Sequence, residues 1–208
     1  MKPSRRAFLR FLAILMPAPF VLAVCGRRPP SAAAQADAAS GEVRPPTPPC
    51  GDEDDVTPRQ TEGPYYTPDS PERTSFLEPG IAGTTITVSG AVLTTDCRPV
   101  AGALLDFWHA DDGGRYDNAG YKLRGHQFAD AAGRYTLTTI APGLYGGRTR
   151  HFHVKVQAPN RPVLTTQLYF PGEPRNSRDG IFDPRLLMEV QEVAGGKAAT
   201  FDFVLALR

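Results

Sequence analysis

At 208 residues with 41% hydrophobic content, the chain is long enough for one domain with a proper core plus appendages. Its formal charge of +1 removes the electrostatic case for a nucleic-acid or anionic-surface partner. The 21 prolines and 20 glycines exceed average usage and many prolines fall before residue 60, so a compact body behind an unstructured leader is expected.

The leader, residues 1–36, carries paired arginines in SRRAFLRFL (Ser4 to Leu12), followed by an apolar run broken by Pro17 and Pro19. That run is too short and interrupted for a comfortable transmembrane span, and it matches a twin-arginine export signal; a membrane anchor or a plain signal peptide are the alternatives. Ala34-Gln35-Ala36 has the small-x-small form of a cleavage site, which would start the mature chain near Asp37. LAVC, ending at Cys25, resembles a lipobox, but Val24 stands where a small residue is wanted. The expected product is soluble and exported, periplasmic or extracellular, touching the membrane only in transit, with a lipid anchor at Cys25 as the alternative. Twin-arginine export carries proteins already folded, which is a weak hint of a bound metal.

Residues 37–57, including EVRPPTPPCGDEDD, are proline-rich and acidic without hydrophobic periodicity, and read as a solvated, disordered tether. With Cys25 in the signal, Cys50 and Cys97 remain. In an exported chain they favour one disulfide pinning the tether to the body, against two free thiols.

Residues 58–208 form the body. Thr84–Thr94, Ala103–Ala110, Arg134–Ile140, His151–Ala158, Val163–Phe170 and Thr200–Leu207 are rich in β-branched and aromatic residues, with turn signals such as DDGG, DAAG and APG between several of them. The expected fold is all-β, an antiparallel β-sandwich with long loops. At most, Arg178–Val190 hides a helical turn or two.

In RHFHVKV, His151 and His153 share one strand face while Phe152, Val154 and Val156 take the other. Imidazoles two apart lie roughly 7 Å apart at Cα and can converge on one ion, although a strand histidine can equally be exposed or hydrogen-bonded to a neighbour. No third histidine or cysteine stands at zinc-like spacing, which weakens a zinc hydrolase. Tyr116 and Tyr145 instead follow glycine-bearing turns at strand ends, where a phenol can be aimed into a cleft; singly, each reads as core or rim.

In order along the chain, TEGPYY, CRPVAGALLDFWHADDGGRYDN, LRGHQFADAAGRYTLTTIAPGLYGGRTRHFHVKV and LTTQLYFPG resemble the intradiol ring-cleavage dioxygenases, from about Thr57 to the C-terminus. The resemblance implies Fe(III) held by Tyr116, Tyr145, His151 and His153, and cleavage of a small catechol-type diol with O2 to a cis,cis-muconate-type diacid. Tyr145 is then the phenolate displaced by substrate, which accepts a proton. Arg148 stabilises charge developing on the ring and Gln167 hydrogen-bonds with it; read alone, they are a solvated loop charge and an outward strand residue. Thr61, Gly63 and Pro64 are expected to line the substrate pocket, where a simple turn is the plain alternative. Phenolate is a hard, strongly donating ligand suited to a trivalent ion. Only five residues separate Tyr145 from His151, fewer than in many members of the family, and the long helical N-terminal domain of catechol dioxygenases is lacking. A homo-oligomer is neither required nor excluded. Two further readings are a non-catalytic β-sandwich that binds a ligand or carbohydrate, and a zinc hydrolase using the His pair.

Overall fold

The computed structural model describes residues 56–207. The expected export leader and its cleavage point, Cys25, Cys50 and the expected tether up to residue 55 lie outside the described residues. Thr57, expected at the end of that tether, is instead buried, its N–H donating to Val204 O at 3.1 Å.

Among the described residues, nine strands build two sheets: β1 (Thr85–Thr94), β2 (Leu104–Trp108), β3 (Arg124–Phe128), β4 (Arg134–Ile140), β5 (His151–Gln157), β6 (Leu164–Tyr169), β7 (Glu189–Val193), β8 (Gly196–Thr200) and β9 (Phe203–Leu205). One sheet runs β4-β1-β8-β7 with β9 beside the end of β1, and the other runs β3-β2-β5-β6. Their inner faces share one core, so the architecture is the expected β-sandwich. Pairing is antiparallel except where β1 meets β8 and β9, which are parallel to it. The stretch Thr200–Leu207 is therefore not one strand. Thr200 closes β8, Phe201 N–H donates to Ser89 O, and the Asp202 carboxylate accepts from Ala91 N at 2.7 Å before β9 begins. A single 3-10 turn, Pro184–Leu186, falls inside Arg178–Val190, with the Asp183 side chain capping it.

The alternation of β5 places the site. Phe152, Val154 and Val156 are fully buried between the sheets, each burial worth roughly 1.5–3 kcal/mol, while His151, His153 and Lys155 face the other way. Register carries that face across the sheet, pairing Arg124 with Trp108, Trp108 with His153, and His153 with Gln167. One row of four side chains thus crosses four strands.

A strap, residues 57–76, closes the rims of the sandwich. Its main chain bonds successively to Val204 of β9, Thr165 of β6, His126 of β3 and Thr138 of β4. These contacts occupy strand edges that would otherwise present unpaired N–H and C=O groups. Between Gln60 and Pro71 the strap passes over the outward face of β5 and β2. Cys97, in the turn after β1, is disulfide-bonded to a cysteine outside the described residues.

Candidate metal centre

Two loops present the tyrosines. Tyr116 follows the turn at Asp111–Arg115, closed by Asp111 N–H to Arg115 O at 2.8 Å and Gly114 N–H to Asp111 O at 3.0 Å. Tyr145 follows Gly143, whose N–H donates to Asp111 O at 2.7 Å. The two loops touch through their glycines: a Cβ on Gly114, at φ +80°, would lie 2.1 Å from Leu144 O, and one on Gly143 would lie 2.3 Å from Asp112 O. Only bare backbone lets the loops approach so closely, and that approach brings the phenols together. Their rings stand edge to face, centroids 5.5 Å apart.

The imidazoles complete the cluster. His151 Nε2 and His153 Nε2 are 3.1 Å apart, and the Tyr116 hydroxyl is 3.5 Å from His151 Nε2. His151 Nδ1–H donates to Thr149 O at 2.6 Å, which fixes the tautomer and leaves Nε2 as a lone pair. His153 is held by stacking: the Trp108 ring lies on it at 4.9 Å and 8°, and its Nδ1 is buried with no hydrogen-bond partner among the described residues. Gly63, at φ +72°, passes the other ring atoms, so that a Cβ there would lie 3.3 Å from His153 Cε1.

Burial pushes the His151 pKa down to about 4 and that of His153 well below its ordinary value, so both rings are neutral donors at neutral pH. Burial pushes the Tyr116 phenol up, against the pull of Arg148 and Arg124. A phenol so placed ionises only if a cation supplies the compensation. Two convergent imidazole nitrogens with two phenols beside them suit a hard trivalent ion. No three His, Cys, Asp or Glu side chains converge among the described residues, so what joins the His pair here is tyrosine.

A second network borders the cluster. Arg148 Nε donates to Asp179 Oδ2 at 2.8 Å, and one of its terminal nitrogens donates to Gln167 Oε1 at 2.6 Å and to the Tyr169 hydroxyl at 3.3 Å. Gln167 Nε2 donates to Thr61 O at 2.9 Å, tying the strap to the same group. Burial opposes ionisation at Asp179, but the Thr149 N–H and the Arg148 guanidinium outweigh it and hold the carboxyl low. Burial pushes the Tyr169 phenol up to about 12.

Of the residues singled out from sequence, Tyr116, Tyr145, His151, His153, Arg148, Gln167, Thr61 and Gly63 are brought together; Pro64 is exposed beside Gly63. Trp108, which reads from sequence as core, is buried as expected but also supports the site, and two residues that no motif singles out, Tyr65 and Asp179, join it. Tyr65 stacks on Tyr116 at 4.6 Å and 17°, meets Tyr145 edge to face, and shares a short hydroxyl–hydroxyl bond with Tyr145. That bond pushes the Tyr65 phenol up, and burial adds to it. TEGPYY marked this segment, but nothing local distinguishes Tyr65 from Tyr66, which instead donates to Asp106 at 3.1 Å and lies under Lys155 Nζ at 3.5 Å. His109, bonded to Ala110 O and the Thr139 hydroxyl, is a satisfied core residue.

A family model described as "Dioxygenase" matches residues 61–207, spanning the strap, both tyrosine loops and the His strand. The chain belongs to the intradiol ring-cleavage dioxygenase family. It is 30% identical over 156 residues to a catechol 1,2-dioxygenase of Pseudomonas sp. (strain EST1001), covering 62% of this chain and 52% of that protein. It is 30% identical over 152 residues to a hydroxyquinol 1,2-dioxygenase of Nocardioides simplex, covering 62% and 52%. The chain thus spans about half the length of these curated relatives. Among solved structures, it is similar to the dioxygenase domain of a dioxygenase and carbohydrate-binding protein fusion from Streptomyces sp. SirexAA-E, at 60% identity and TM-score 0.72, covering 74% of this chain and 99% of that one. It is also similar to 3-chlorocatechol 1,2-dioxygenase from Rhodococcus opacus 1CP, at 26% identity and TM-score 0.68, covering 72% of each chain.

Proposed function

We propose that this protein is a non-haem Fe(III)-dependent dioxygenase that cleaves a catechol-type aromatic diol between its hydroxyl carbons, incorporating O2 to yield a cis,cis-muconate-type diacid. The observation that carries this reading is the approach of His151 Nε2 to His153 Nε2 with Tyr116 and Tyr145 beside them. Those four residues would hold the ion. Bound there, Fe(III) supplies a chelation point for the two diol oxygens and makes the ring reactive toward O2.

The rest of the work belongs to the chain's own groups. His151 and His153 stay neutral and keep their lone pairs inward. Tyr145 Oη already has a hydrogen-bond partner in the Tyr65 hydroxyl, so a proton taken up at Tyr145 remains within the site. Arg148, braced by Asp179 and Gln167, presents a fixed positive charge where negative charge develops on the substrate ring. Thr61 and Gly63 bring the strap across the mouth and restrict water.

The protein is further read as exported through the twin-arginine pathway, on the strength of SRRAFLRFL and the apolar run after it. The deciding experiment adds catechol, protocatechuate and hydroxyquinol separately to ferric-reconstituted protein while oxygen uptake and diacid formation are followed. Visible phenolate-to-iron absorption with oxygen uptake on at least one diol is expected. A protein that stays colourless and iron-free after reconstitution would sink this reading in favour of a binding module.

A further inference from the structure

Arg124 is one of the largest fully buried side chains, 1% exposed, and no carboxylate among the described residues lies within ion-pair distance of it. A buried guanidinium without a counter-ion is costly, and it persists only where its donors are well used. Here all three nitrogens donate to main-chain carbonyls: Nε and one terminal nitrogen to Asp117 O at 2.9 and 2.7 Å, and the other terminal nitrogen to Tyr65 O in a short bond.

Those two carbonyls belong to segments far apart in sequence. Asp117 follows Tyr116 directly, and Tyr65 carries the ring that stacks on Tyr116 at 4.6 Å. The planar fork of Arg124 therefore joins the backbones on which both stacked phenols are mounted. Its own Cα is fixed in the cross-sheet row, opposite Trp108, whose ring supports His153. One rigid side chain thus relates the Tyr116 loop, the strap and the His strand.

We propose that Arg124 is a positioning residue for the metal centre, setting where the Tyr116 and Tyr65 phenols stand relative to His151 and His153. Other ties hold the same loop to the strap in its absence: the Tyr121 hydroxyl donates to Pro68 O at 3.1 Å, and a terminal nitrogen of Arg73 donates to Tyr121 O. Loss of the guanidinium therefore relaxes the phenols without releasing the strap.

The reading of Arg124 rests on the proposed iron site only in its second measurement. In the metal-free full chain, Arg124→Met and Arg124→Lys are compared with wild type by hydrogen exchange; faster exchange is expected around Tyr65 and Asp117, with β4 and β5 unchanged. After ferric loading to equal iron content, Arg124→Met is expected to shift the phenolate-to-iron band and lower kcat about tenfold or more, with Arg124→Lys intermediate. Unchanged exchange at both segments, or an unmoved band in folded, fully loaded Arg124→Met, overturns the proposal. If Arg124→Met does not fold, Arg124→Lys decides by the same two readings; if neither folds, Arg124 is a folding residue and the proposal is overturned. A wild-type protein that binds no Fe(III) overturns the proposed function, while exchange in the metal-free chain still decides this one.

Discussion

Trp108 lies face to face on His153, ring centroids 4.9 Å apart and planes within 8°, and the two residues are direct partners across β2 and β5. The stack explains how His153 keeps its orientation although its Nδ1 has no hydrogen-bond partner among the described residues. A ring wedged flat against a fully buried indole cannot rotate about χ2 without opening the core.

Trp108→Ala should therefore lower both stability, by about 3–5 kcal/mol, and metal retention, whereas Trp108→Phe keeps a platform and should lose less of each. Thermal unfolding and iron release to a chelator read the two effects separately. Trp108 is also the only tryptophan, so its fluorescence should be quenched on ferric loading, and an emission unchanged by iron would place the ion elsewhere.

Asp179 and Arg148 make the second prediction. The Asp179 side chain is 2% exposed and fixes the guanidinium Nε while Gln167 fixes another nitrogen. Asp179→Ala should leave the visible band in place yet reduce kcat by about 10²-fold, because the arginine is present but no longer aimed. Arg148→Ala should also keep the colour and lose turnover. Normal turnover in either variant removes that residue from the chemistry. Tyr116→Phe is the complement, since it should bleach part of the visible band.

Much of this arrangement is legible in the sequence, and what is hidden has physical reasons. β5 is plain because its two faces carry opposite chemistry, two imidazoles against Phe152, Val154 and Val156. β3, read as RGHQF, has no apolar alternation. Its buried Arg124 is satisfied by loop carbonyls, and Gly125 leaves room for Phe76 and Arg73, contacts that no local pattern reveals. β7 and β8 are mostly exposed or half-buried, so their pairing is set by the backbone rather than by a hydrophobic face. The same holds at the site. TEGPYY was recognisable, yet the bond between Tyr65 and Tyr145 spans 80 residues, and Asp179 reaches Arg148 from 31 residues away.

Acid should destabilise the metal-free protein through its buried histidines. Burial lowers the His109 pKa from 6.5 to about 4, and that of His151 likewise to about 4. Between those values the unfolded chain binds protons that the folded chain refuses, so stability is complete above about pH 6.5 and falls as pH drops toward 4, below which the folded rings also protonate. For His109 alone the loss is on the order of 3 kcal/mol. Urea midpoints measured from pH 7 to pH 4 test this, and His109→Gln, which keeps a group able to bond to Thr139, should flatten the slope by about that histidine's share. A midpoint independent of pH over the window contradicts the burial of these rings.

Gly63 offers the sharpest test of the strap. Its φ of +72° is a conformation that L side chains rarely adopt, and a Cβ there would approach His153 Cε1 to 3.3 Å. Gly63→Ala should therefore combine backbone strain of about 1–3 kcal/mol with pressure on a ring that Trp108 blocks from retreating. The strap, rather than the His strand, should yield, because β5 is buried on both sides whereas the strap near Gly63 is exposed or half-buried. The expected signature is a raised KM for the diol and faster exchange at Thr61–Tyr66, with iron content near that of wild type. Lost iron with an unmoved strap would show that His153 gives way first, and the stack on Trp108 would then be weaker than its geometry implies.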